Sequence, residues 1–141
     1  LALGKEDLAA LLDLRRHLHA HPELSGAEHH TAALVAGELR RLGWRVQEGV
    51  GRTGVLAELG PSSGRAIGLR VDMDALPIQE LNEVDYRSQN AGVMHACGHD
   101  GHTAMLLAAA KHIAQNVQYC GVMLESTSCM TLKTTAPKIP P

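Results

Sequence analysis

The stretch Met94-His95-Ala96-Cys97-Gly98-His99-Asp100-Gly101-His102-Thr103 packs three histidines, one cysteine and one aspartate into ten residues. A run rich in Ala and Leu, Thr103 to Ala114, follows it and predicts a helix, so the cluster lies on a loop just before a helix N-terminus. Thiolate, imidazole and carboxylate are the donors that hold zinc-like or manganese-like divalent ions. One glycine separates Cys97 from His99. Gly98 can take backbone angles closed to other residues, which lets both side chains turn toward one point. A helix N-terminus also favours a thiolate. Two other readings stay open on these residues alone: ordinary core and surface side chains, or a thiol nucleophile at Cys97 with His102 or His95 as its base.

Working outward, 141 residues suffice for one domain with its own core. A hydrophobic content of 45% with 20% charged residues suits a soluble globular chain. Aromatic residues make up only 2%, with no Phe, so the core must be built from Leu, Val, Ile and Ala. The net charge of −2 gives no sign of a nucleic-acid partner. There is no apolar run of the ~20 residues a membrane span needs and no signal-peptide pattern. Three cysteines, Cys97, Cys120 and Cys129, make no even framework. They fit a reducing, cytoplasmic compartment, with Cys120 and Cys129 expected as free thiols. From Val71 to Glu125 the acids Asp72, Asp74, Glu80, Glu83, Asp85, Asp100 and Glu125 face only Arg87 and Lys111. An acidic segment suits a divalent cation, although residues 80–85 read as a solvated acidic loop.

Lys5 to Ala20 predicts a helix with Leu8, Leu11, Leu12, Leu14 and Leu18 as its apolar face, ended by His21-Pro22. His17, His19 and His21 alternate and share no helical face, so they read as surface or helix-end residues. Ser25-Gly26-Ala27-Glu28 has the spacing of a capping box and starts a second helix running to Leu42. Thr31, Leu34, Val35 and Leu39 are on its buried side, Gly43 is its stop, and His29 and His30 face solvent. Strands follow at Trp44 to Val50, Gly54 to Leu59 and Arg65 to Val71, with a turn at Gly60 to Gly64. Ile67, Leu69 and Val71 share one face of the third strand, and Val117 to Leu124 is a further strand. The order predicts a layered α/β fold with helices packed on a mixed sheet. Asp72-Met73-Asp74 comes at the C-terminal end of a strand, where α/β sheets place their chemistry. Ser126 to Pro141 has no acids and reads as a disordered or poorly packed tail.

Four stretches in this order carry a resemblance: Leu14 to Leu24 (LRRHLHAHPEL), Gly51 to Val55 (GRTGV), Leu69 to Ile78 (LRVDMDALPI) and Met94 to Ala104. Over roughly residues 10 to 116 the chain resembles the N-terminal part of a metal-dependent amidohydrolase of the M20 peptidase family. The nearest branch holds hippurate hydrolase, N-acyl-amino-acid amidohydrolases (aminoacylases) and auxin-conjugate hydrolases. The resemblance implies a zinc-peptidase-like α/β/α catalytic domain with two divalent ions (Zn, Mn, Ni or Co) and hydrolysis of the amide bond of small N-acyl amino acids. It implies that Cys97 and His99 are metal ligands and that Asp74 orients a ligand or supports catalysis. Asp72 lies where other branches have a metal-binding His. His95, Asp100 and His102 become candidates for holding the ligands in place.

The sequence then departs from the family pattern. After Tyr119-Cys120-Gly121 the strand leading to the expected Gln-Pro-Ala-Glu-Glu is not found, and Glu125 is the only acid beyond Asp100. The expectation is therefore a partial catalytic domain over residues 1–125, without the lid-like domain, and a divergent tail over 126–141. Truncation, frame disruption and a fragment remain open as origins. Such a chain is expected to hold one metal ion weakly or none and to lack full activity. Homo-oligomerisation is compatible with it. The rivals are a non-catalytic metal-binding remnant and a thiol-dependent hydrolase.

Overall fold

The computed structural model describes residues 4–60, 67–116, 121–126 and 129–135. Helix α1 spans Lys5–Ala20 and matches the sequence expectation at both ends. Glu6 and Asp7 in its first turn and His17 and His19 in its last suit the helix dipole. The inward face is narrower than the leucine pattern suggests. Leu18 is buried and Leu14 packs on the core, whereas Leu8 and Leu12 are 48% and 46% exposed.

Helix α2 spans His29–Arg41, starting later than expected. The Ser25–Glu28 capping box does not form. Instead the two carboxylate oxygens of Glu23 accept the His30 and Thr31 backbone N–H groups at 3.0 and 2.8 Å. Glu28 turns inward, fully buried, and accepts the Thr53 hydroxyl at 2.5 Å. Thr31, Val35 and Leu39 are buried as expected, and Gly43 leaves the helix with a φ of 86°, a left-handed conformation that favours glycine. Since Glu23 satisfies two otherwise orphaned donors, Glu23→Ala is expected to destabilise the fold by about 1 kcal/mol in urea unfolding. Ser25→Ala is expected to change it by less than about 0.5 kcal/mol. The reverse order would restore the capping box.

Strands β1 (Arg45–Val50), β2 (Gly54–Leu59) and β3 (Ile67–Asp72) precede helix α3 (His99–Asn116), followed by β4 (Gly121–Ser126) and β5 (Cys129–Thr135). The sheet order is β1-β2-β4-β3-β5. β3 and β4 are parallel, joined through α3, while β1–β2, β2–β4 and β3–β5 are antiparallel. This is the mixed sheet with packed helices that the sequence predicts. The stretch read as a poorly packed tail instead carries β5, whose Thr-rich composition suits a strand. The turn at 61–64, Cys120 and the start of the strand expected from Val117 lie outside the described residues.

The core joins Ala32, Val35, Ala36 and Leu39 of α2 and Leu106, Leu107 and Ala110 of α3 to Val55 and Ala57 of β2, with Trp44 and Met73. Apart from Trp44 it is aliphatic, as the low aromatic content requires. Of β3, only Val71 packs on this core; Ile67 and Leu69 are exposed. Among the described residues no helix is long and apolar enough to cross a membrane.

Candidate metal centre

β3 delivers Asp72 to the carboxyl edge of the sheet, Met73 is buried behind it, and Asp74 follows. The next residues are pinned from two sides. Ala75 N–H donates to the Glu23 carbonyl at 2.8 Å, and Leu76 exchanges two backbone hydrogen bonds with Met94 at 2.9 and 3.0 Å. That exchange brings the loop bearing Cys97 beside the Asp74 segment. Gly98 has a φ of 79°, the left-handed conformation its position requires, and α3 begins at the next residue.

His99 is the first residue of α3, and its Nδ1 lies 2.8 Å from the Asp74 carbonyl oxygen and 3.0 Å from Asp74 Oδ1. Both partners are acceptors, so Nδ1 carries a proton, and Nε2 is the nitrogen left to face a metal. A ring held this way, by a carbonyl and a carboxylate, is how metal-binding histidines are oriented. Cys97 is an exposed free thiol. Asp74 and His99 are thus brought together. Asp72 is not part of that contact: its carboxylate lies 3.4 Å from Arg70 Nη2, and its backbone carbonyl accepts the Thr103 hydroxyl at 3.3 Å. His102 is exposed, with its ring 5.8 Å from that of His99. His95 is buried, and neither ring nitrogen has a partner among the described residues. Burial holds His95 below the ordinary imidazole range, although the Asp100 carboxylate opposes the shift.

Among the described residues no three His, Cys, Asp or Glu side chains converge closely enough to hold a metal ion. The donor chemistry fits one half of a site: an exposed thiol, and an imidazole whose free nitrogen is set by its other bond. A closed shell needs about four donors.

Behind this loop lies a buried network that the sequence reading did not find. His19, 4% exposed, places Nδ1 2.7 Å from Asp100 Oδ2 and Nε2 3.1 Å from Glu80 Oε1. Arg15 Nε lies 2.8 Å from the same Asp100 oxygen. Glu80 is buried, not part of a solvated loop, and accepts the Ser88 N–H at 2.6 Å and the Asn82 amide at 3.2 Å. Burial alone would raise the Glu80 pKa. The Ser88, His19 and Asn82 hydrogen bonds outweigh it and hold the carboxyl below its usual range. A depressed folded pKa contributes stability that is present above the unfolded value, about 4.3, and is lost as pH falls through the folded value. Glu80→Gln is therefore expected to flatten the acid limb of the stability profile below about pH 4. Equal slopes for both proteins in urea titrations from neutral to acid pH would contradict this.

The profile of the Peptidase family M20/M25/M40 matches residues 68–120, which hold Asp74, Cys97 and His99. The chain is 50% identical over 122 residues to an N-acyl-L-amino acid amidohydrolase of Geobacillus stearothermophilus, an alignment covering 80% of this chain and 33% of that one. Residues 68–120 are an M20 peptidase family segment. A second relative, a hippurate hydrolase of Campylobacter jejuni, is 51% identical over 102 residues, covering 72% of this chain and 27% of its own length. The fold superimposes on the crystal structure of the Bacillus subtilis YXEP protein, described as a dinuclear metal binding peptidase of the M20 family. That match has a TM-score of 0.79 at 35% identity and covers 86% of this chain and 35% of the other. The chain therefore spans about a third or less of the relatives it matches.

Proposed function

We propose that this chain carries one half of the divalent-metal centre of an M20 hydrolase that cleaves the amide bond of N-acyl amino acids, with Cys97 and His99 as metal ligands. The observation that carries this reading is the His99 ring, fixed at Nδ1 by Asp74 with Nε2 left for a metal. The named activities of the amidohydrolase and hippurate hydrolase relatives support the substrate class, and the dinuclear relative supports two ions. When bound, zinc, manganese, nickel or cobalt would polarise the scissile carbonyl and make water a better nucleophile at neutral pH. The work of this chain is positional. Asp74 holds the His99 tautomer, and Gly98 lets Cys97 and His99 turn toward the same side. Asp100 and His95 lie buried beneath the loop and His102 flanks it.

A proton shuttle is not assignable here. Beyond Asp100 the sequence has one acid, Glu125, which the register puts near the carboxyl end of β4. Positioned acid–base help is worth about 10²–10⁴ in rate, and only two metal donors are assigned. The chain alone is therefore expected to bind manganese or zinc weakly and to release no amino acid from hippurate at an appreciable rate. Calorimetry should show metal binding weakened in Cys97→Ser; equal affinity would remove Cys97 from the centre. Chelator-sensitive turnover that Cys97→Ser abolishes would show instead that these residues make a complete site.

A further inference from the structure

His19 lies between two carboxylates, and a carboxylate can only accept. Its Nδ1 is 2.7 Å from Asp100 Oδ2 and its Nε2 is 3.1 Å from Glu80 Oε1. Either neutral tautomer would set a bare ring nitrogen against an oxygen lone pair, in a place where water cannot intervene. Only the ring with both protons satisfies both contacts. Arg15 Nη2 is also 3.3 Å from Nδ1. A guanidinium only donates, so this approach would be a bond only if Nδ1 were bare, and the shorter carboxylate contact decides against that. The other groups facing the ring are Tyr86, edge-on at 5.6 Å between centroids, and His95 at 6.4 Å. With Arg15 as the second cation, two positive and two negative side chains form a charge-balanced tetrad, buried except at Arg15, whose side chain is one-third exposed. Arg15 and His19 both stand on α1, Glu80 on the loop after β3, and Asp100 in the first turn of α3.

Asp100 directly follows His99. Among the described residues its Oδ2 is engaged only by the two α1 cations, and its Oδ1 has no partner. That pair of contacts ties the first turn of α3 to α1, beside the His99–Asp74 and Thr103–Asp72 contacts that tie it to the end of β3 and the Lys111–Asp7 ion pair that joins the two helices further along. We propose that His19, carrying both ring protons between Glu80 and Asp100, is a positioning residue that fixes the first turn of α3 and with it the Cys97–His99 donor pair. The effect on the donor pair rests on the metal-centre reading above; the effect on the turn does not.

Three measurements test this. Ring ¹⁵N NMR of His19 in the full chain at neutral pH should show both nitrogens protonated; a neutral tautomer overturns the proposal. Amide hydrogen exchange should quicken about tenfold at Gly101 and His102 in His19→Gln, with α2 amides as an internal control. The charge-matched His19→Gln/Glu80→Gln double variant should return to within about threefold of wild type, because Asp100 and Arg15 then balance alone. Unchanged exchange in the single variant, or no recovery in the double, overturns it. A His19→Gln that does not fold leaves the NMR result and the double variant to decide. Cobalt affinity by calorimetry should fall about tenfold in His19→Gln and recover in the double variant. If Cys97→Ser binds cobalt as well as wild type, the metal-centre reading fails, and the exchange data still decide the role of His19.

Discussion

Asp100→Ala is expected to lower the free energy of unfolding by about 3–5 kcal/mol, the usual effect of removing one partner from a buried ion pair. Asp100 is 1% exposed, and its carboxylate serves both His19 and Arg15. The Arg15 side chain is one-third exposed and can turn to water, so most of the loss falls on His19, which is left with Glu80 alone. Distance does not set this effect. Arg41 and Glu38 are closer, at 2.6 Å, but their side chains are 65% and 40% exposed. Breaking that pair with Arg41→Ala is expected to change stability by less than about 1 kcal/mol. Against a total of about 5–15 kcal/mol for a domain, the Asp100 loss should be plain in urea unfolding. A change below about 1 kcal/mol would show that water reaches the tetrad.

Leu39→Ala is expected to cost about 2–5 kcal/mol. Leu39 is fully buried, in the cluster formed by Val35, Trp44, Val55 and Leu107. A cavity there is surrounded by two helices and the sheet, which restricts its collapse. The informative control is Leu12→Ala. Leu12 belongs to the α1 leucine pattern, yet it is 46% exposed, so its truncation is expected to cost less than about 0.5 kcal/mol. Thermal unfolding of the two variants gives the comparison, and equal losses would mean that the face of α1 bearing Leu12 is covered in solution.

What the sequence disclosed and what it withheld divide along sequence separation. The bounds of α1, the strand at Gly54–Leu59 and the Asp72–Asp74 strand end follow from local periodicity, punctuation and motif, and each is present; the helix expected from Thr103 begins four residues earlier, at His99, so only the front of the cluster, with Cys97 and Gly98, lies on the loop before it. His19 was not legible. Its alternation with His17 and His21 shows that the three do not share one face, and His19 is the one set apart: His17 and His21, four residues apart, are exposed and meet at 4.5 Å between ring centroids. Nothing local tells which of the three turns inward, because the partners of His19 lie 61 and 81 residues away. Glu80 was hidden in the same way among Glu83 and Asp85, which are exposed. It is drawn inside because its loop folds back on α1, with Gln89 N–H on the Ala20 carbonyl and the Asn90 amide on the Pro22 carbonyl. The α2 cap failed for a subtler reason. The Ser25–Glu28 spacing is right, but burial of Glu28 against Thr53 removes one half of the box, and Glu23 supplies the acceptors from a turn earlier.

The tetrad also sets an order of events in biosynthesis. A chain grows at about 5–20 residues per second, so the 81 residues from His19 to Asp100 take roughly 4–16 s to be added. During that interval α1 has left the ribosome with its buried-side histidine and leucines unpartnered. A sixteen-residue helix alone is marginal in water, so it frays and re-forms until α3 arrives. The Cys97–His99 loop, adjoining the last member of the tetrad to be made, is thus among the latest parts of this region to take shape.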